Sequence, residues 1–238
     1  MKKLIIFSIV IALFGFIADG PVGAVPTPTA ELELINGATT VTILDNSPQD
    51  LDPTQQGVVL FAGSVGDYTV NVTTGLTYPN LGTSASPELR LTTTDNSNGV
   101  PLAATDTLTI LFTQTNFTAG QLHAVISASS TDDTGTATAQ AWYDSTNMPF
   151  AKTTPIDGPL SITNTATSVS GTINTTSSTT GLYSITEQIT LTPSGAPMEF
   201  GGTVDLHASS VVPEVSTLLL IGAGLLGLAG LRRGLKKT

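Results

Sequence analysis

The sequence predicts an all-β body, an antiparallel two-sheet sandwich of jelly-roll or Ig-like type. A signal helix precedes it and a single transmembrane helix follows it. Three observations carry this reading. Apolar and polar residues alternate through most of the chain, the pattern of strands with one buried and one wet face. Short clusters of Gly, Asn, Asp and Pro punctuate these runs. Long uncharged apolar runs stand at the two ends.

The head comes first. Met1-Lys2-Lys3 is a basic n-region and Leu4 to Ala18 an apolar h-region. Val22-Gly23-Ala24 supplies the small residues of a cleavage site, so residues 1–24 read as a signal peptide cut after Ala24. An uncleaved anchor helix is the alternative. The export translocon and signal peptidase are the partners this segment implies.

Residues 25–208 read as one domain, long enough to bury a real core. Thr27 to Ala30 is an extended lead-in. Strand patterns follow at Glu31 to Leu34, Thr40 to Ile43, Tyr68 to Val72, Glu88 to Thr92, Thr107 to Phe112, Leu122 to Ala128, Val169 to Ile173, Tyr183 to Leu191 and Thr203 to Leu206. Turn clusters separate them, among them Asn36-Gly37, Asp45-Asn46-Ser47-Pro48, Asn98-Gly99 and Ser194-Gly195. About ten short strands without an amphipathic helix make a sandwich, with a barrel as the alternative. Ser209 to Val212 links the body to the tail.

Composition excludes several functions. The chain of 238 residues has no cysteine, so it has neither disulfides nor thiolate chemistry. Its formal net charge is −10. The basic residues crowd the two ends, and only Arg90 and Lys152 lie in the body. A body this acidic has the wrong sign for nucleic acid. Such a surface stays soluble by self-repulsion and welcomes divalent cations.

Candidate chemistry is sparse. His123 and His207 each sit in an alternating segment, and no Gly-x-Ser-x-Gly elbow accompanies them. Glu88, Glu187 and Glu199 are candidates by type for a glycosidase-type carboxylate pair, and no spacing singles out two of them. Trp142-Tyr143 is a candidate sugar-stacking pair, with one core ring and one surface ring as the plainer reading. No cofactor is required. Calcium is the candidate ion, because it takes oxygen ligands from clustered carboxylates and amides. Asp45, Asp50 and Asp52, with Asn46, form the first such cluster. Asp95, Asn96 and Asn98 form a second, and Asp132-Asp133 a third. Ordinary Asx turns explain the same residues.

The tail spans residues 209–238. Val215 to Leu231 carries no charge. At about 1.5 Å per residue it crosses a hydrocarbon core of about 30 Å with little tilt. Arg232, Arg233, Lys236 and Lys237 follow and hold that end in the cytoplasm, which places the body outside.

Val212-Pro213-Glu214-Val215-Ser216-Thr217, the Gly/Leu helix and Arg232-Arg233 together resemble the PEP-CTERM sorting domain of Gram-negative bacteria. The resemblance covers residues 212–238. It implies recognition by exosortase, a transpeptidase-like membrane protease that cuts near the motif and removes the helix. Pro213, Glu214 and Val215 then form the sorting motif, and Arg232 and Arg233 the membrane stop. The family's third motif residue is usually proline, and here it is Val215, which bears on processing efficiency. The stretches Gly57 to Phe61, Tyr68 to Gly75 and Ser86 to Leu89 look like the β-rich domains often joined to such tails. The implied route runs through an inner-membrane intermediate facing the periplasm to the cell surface or beyond. The expected role is non-enzymatic, in a surface, extracellular matrix or exopolysaccharide setting. A carbohydrate-binding module or carbohydrate-active enzyme on the same sandwich is the alternative.

Overall fold

The computed structural model describes residues 29–118, 121–133, 135–156, 159–163, 169–178 and 181–210. The signal segment with Ala24 lies outside the described residues, as does the tail with Pro213, Glu214, Val215, Arg232 and Arg233. The described residues form antiparallel strands and no helix.

The strands in chain order are β1 (Ala30–Asn36), β2 (Thr39–Leu44), β3 (Val58–Val65), β4 (Tyr68–Leu76), β5 (Gly82–Thr83), β6 (Ser86–Pro101) and β7 (Leu108–Thr118). They continue as β8 (Gln121–Asp133), β9 (Gly135–Asp144), β10 (Thr154–Pro155), β11 (Leu160–Thr163), β12 (Val169–Ser178), β13 (Leu182–Pro193) and β14 (Pro197–Ser210). One sheet runs β10–β9–β13–β7–β1–β2, with β11 also paired to β9. The other runs β12–β8–β14–β6–β4–β3, with β5 also paired to β6.

Alternation sets which face is buried. In β1, Ala30, Leu32 and Leu34 are buried while Glu31 and Glu33 are half-exposed. In β6, Leu89 and Leu91 turn inward and Arg90 turns outward. Residues of both sheets share one core cluster, including Leu32, Phe112 and Ile189 from the first and Leu89, Leu91 and Val204 from the second. The sheets therefore face each other across a common interior, a sandwich-like arrangement.

One contact registers the two sheets. Phe112 on β7 is fully buried beside Leu32 of β1 and Glu187 of β13. A Cβ placed on Gly75 of β4 would fall 2.3 Å from its ring. The missing side chain is thus the space that the ring occupies. An aromatic group closes one end of the interior, where Tyr183 lies 5.8 Å from Phe117 and 5.1 Å from Tyr143, ring centroid to ring centroid.

Three expectations are corrected. The strands outnumber those legible in the sequence, chiefly because β3, β9 and the short β5, β10 and β11 lack a strong apolar alternation. Asn98-Gly99 does not end a strand. It forms an irregular stretch inside β6, with Gly99 at φ 75° and a register shift opposite Pro197 to Glu199. Ser209 and Ser210 are not linker but the end of β14, paired with His123 and Leu122 of β8.

Candidate functional site

A cleft opens where β4, β6 and β14 adjoin. Register sets Glu199 of β14 opposite Asn96 of β6, and Phe200 opposite Asp95. On the other side of β6, β4 slips by one residue between Val70 and Val72, which leaves Asn71 as a bulge. Bulges re-aim a side chain and locally part the ladder. The resulting cleft has a volume of about 270 Å³ and is lined by Asn71, Thr94, Asp95, Asn96, Glu199, Phe200 and Gly201. Asn71, Thr94 and Glu199 are exposed. Amides, a hydroxyl and a carboxylate are a donor and acceptor set suited to a polyhydroxylated ligand.

Asp95 lies behind this cleft and is 2% exposed. Thr93 Oγ1 donates to its Oδ2 at 2.7 Å, and Thr93 Oγ1 lies 2.7 Å from Thr73 Oγ1. Its Oδ1 has no hydrogen-bond partner. Burial pushes the carboxyl up to about 7, against the pull of the Thr93 hydrogen bond. Such a group holds its proton close to neutral pH, as an acid catalyst must. Glu199 is its one carboxylate neighbour in the cleft lining.

This burial has a measurable consequence. Unfolded, Asp95 titrates near 3.8; folded, it titrates near 7. The stability it contributes is complete below about pH 4 and declines as pH rises to about 7. Asp95→Asn is expected to remove one proton's worth of slope from the melting temperature over that window. An unchanged profile would mean that the folded protein solvates Oδ1.

The sequence-predicted residues fall in several places. Asp50 is 3% exposed and accepts backbone N–H groups from Asn46 at 3.2 Å, Asp52 at 3.0 Å and Leu60 at 3.0 Å. Asp45 Oδ2 accepts the Gly57 N–H at 2.8 Å, and Asp52 Oδ1 accepts the Thr54 hydroxyl at 3.0 Å. Burial and the nearby Asp50 carboxylate raise the Asp45 carboxyl, and the Gly57 and Asn46 N–H groups oppose this. The carboxylates of this β2–β3 loop are therefore held by backbone amides, those of Asn46, Asp52 and Gly57 within it and that of Leu60 in β3. No group of three or more His, Cys, Asp or Glu able to hold a metal ion occurs among the described residues.

The second and third acidic segments are brought together, which linear spacing does not reveal. β14 lies between β6 and β8, so Phe200 and Gly201 pair with Asp95 and Thr94 on one side and with Asp133 and Asp132 on the other. The histidines also fall on adjacent strands, with His123 opposite Ser209 and His207 opposite Val125. His207 Nδ1 lies 3.4 Å from Glu88 Oε2 on the exposed face.

The three glutamates are dispersed. Glu88 lies beside His207, Glu187 is fully buried and Glu199 lines the cleft. The Trp142-Tyr143 pair is corrected: both rings are buried, at 9% and 5% exposure. Tyr143 packs in the core. Trp142 on the other face is covered by Lys152, whose Nζ is 5.1 Å from the ring centroid. Asp144 holds the covering loop by accepting the Thr146 hydroxyl at 2.5 Å, the Met148 N–H at 3.0 Å and the Thr153 hydroxyl at 2.9 Å. A ring sealed in this way offers no stacking platform.

Fold and cleft together define an all-β protein with two facing antiparallel sheets and a polar recess on one of them. No family model matches the chain, and no curated protein matches at a significant level. Two solved structures are similar. The enzymatically active domain of tailspike protein 4 from bacteriophage CBA120 is 13% identical, with 58% of this chain and 19% of that chain covered and a TM-score of 0.30. The isomalto-dextranase of Arthrobacter globiformis T6, complexed with panose, is 12% identical, with 74% of this chain and 30% of that chain covered and a TM-score of 0.28.

Proposed function

We propose that this is an exported, non-enzymatic β-sandwich protein of the cell surface, extracellular matrix or exopolysaccharide layer, sorted by its C-terminal tail. The observation that carries this is the three-part order of that tail: Pro213-Glu214 at a membrane edge, an uncharged run to Leu231, then Arg232-Arg233. An exosortase-type protease is the partner that reads it. An acidic body rich in threonine, with hydroxyl pairs such as Thr92 and Thr203 at 3.1 Å, suits a hydrated extracellular setting. Intact mass of the protein from its native host tests the proposal. A chain from Val25 to near Pro213-Glu214 is expected. Retention of Leu218 to Thr238 would overturn sorting by cleavage.

The cleft favours a second reading, a carbohydrate-binding module. Its two asparagine amides, Thr94 hydroxyl and Glu199 carboxylate are the groups that would meet sugar hydroxyls. Binding to a glycan array tests it, with Asn71→Ala and Glu199→Ala each expected to abolish any signal. Signal unaffected by both changes would place binding elsewhere.

A further inference from the structure

Glu187 is the one glutamate of the described residues that belongs to neither surface nor cleft. It lies in β13 between Ile185 and Ile189, both core residues facing the opposite sheet. Register places Phe112 of β7 on one side and Ala141 of β9 on the other, and both are also core residues. The side chain is fully buried, and neither carboxyl oxygen has a hydrogen-bond partner. Two charged groups act on it, Asp205 of β14 and Arg90 of β6, which form an ion pair on the outer side of the facing sheet. The other buried titratable groups among the described residues are Tyr183 on β13 itself, Tyr143 and Asp144 on β9, Tyr68 on β4, Asp95 on β6 and Asp50 in the loop between β2 and β3.

A buried carboxylate without a partner is costly enough that a protein either keeps the proton or admits water. Leucine or isoleucine at this point of the strand would complete the apolar stripe at no such cost. We propose that Glu187 is a pH-set latch between the two sheets: neutral, it lies closed in the core, and ionised, it drives the sheets apart along β13.

Burial holds the carboxyl well above its usual range; the Asp205 charge adds to this and Arg90 opposes it. The unfolded chain loses this proton near 4.5. The latch therefore contributes fully below that pH, and its contribution is lost as pH climbs toward the raised folded value. Over the lower part of that climb the loss runs in parallel with that of Asp95.

Melting temperature and uptake of a hydrophobic dye, measured on the full chain from about pH 4 to about pH 10, test the latch. Wild type is expected to lose stability as pH rises above 4.5, with a slope of up to about two protons shared between Glu187 and Asp95, and to take up dye before it melts. Glu187→Gln is expected to remove the Glu187 share of that slope and leave the Asp95 share in place. Glu187→Leu, which keeps the variant folded if glutamine does not, is expected to melt higher at alkaline pH and take up no dye. Asp205→Asn is expected to end the Glu187 share at lower pH. A slope left unchanged by both Glu187 changes, or a leucine variant that melts below wild type at alkaline pH, would overturn the proposal.

Discussion

Gly75→Ala is expected to lower the melting temperature by about 6–12 °C, corresponding to about 3 kcal/mol. The new Cβ would lie 2.3 Å from Phe112 Cε2, 2.4 Å from Cδ2 and 2.8 Å from Cζ. Those atoms are not the free end of a flexible chain. The ring is fully buried and walled by Leu32 on one flank and Glu187 on the other. It can move only by parting the sheets or leaving its rotamer, and interiors this dense resist both. Phe112→Leu should cost stability in wild type by leaving a cavity, yet cost less when combined with Gly75→Ala. Thermal melts of the four proteins give the coupling directly. Additive effects would show that β4 and β7 do not meet across the core in this way.

Asp50→Ala is expected to be about as damaging, for a polar reason. The carboxylate satisfies three backbone N–H groups, from Asn46, Asp52 and Leu60. Hydrogen bonds to a charged acceptor contribute about 1.5–3 kcal/mol each, and an orphaned buried donor carries its full desolvation cost. A loss of about 3–5 kcal/mol follows once the loop is allowed to recover some of these bonds through water. Asp50→Asn should fall between, since an amide offers one acceptor oxygen where the carboxylate offers two. The same geometry separates the loop's two readings. A calcium site would make the melting temperature fall on adding a chelator, whereas a backbone-capped loop is indifferent to it. Indifference is the expected result, and a fall in melting temperature would return Asp45, Asp50 and Asp52 to the role of ligands.

Much of the β architecture was legible because strong alternation leaves few choices. Glu31 to Leu34, Glu88 to Thr92 and Tyr183 to Leu191 each became part of a strand with the expected face inward. β9 was not legible. Its inward residues Ala137, Ala139 and Ala141 are fully buried, but alanine is weakly apolar and a poor strand former, so Thr-Ala-Thr-Ala reads as a loop. The far half of β6 hid for a related reason. Thr93, Asp95 and Ser97 face inward where apolar residues are expected, and they are tolerated because Thr73, Thr93 and Asp95 are linked by hydrogen bonds and Ser97 Oγ separately accepts the Met198 N–H. The cleft depends on that same half of β6 and on a bulge at Asn71, and both arise from pairing across the sheet. Linear spacing grouped Asp95 with Asn98 and set Asp132-Asp133 apart, while β14 places Asp95 and Asp133 on either side of Phe200. Glu187 was the deepest surprise. Its phase with Ile185, Ile189 and Leu191 puts it on the inward face of β13, but its residue type favours a solvated reading and masks that signal.

β14 is an interior strand, bonded to β6 along one edge and to β8 along the other. Its last paired residue is Ser210, and the sequence passes almost at once to Pro213. Tension applied from the C-terminal side therefore enters the body along the length of a strand whose ladder bonds lie across the pull. Those bonds are strained together, in shear, rather than unzipped one at a time from a free edge. A protein tethered by that end and dragged by flow or by a neighbouring cell would meet the load with its best-supported strand.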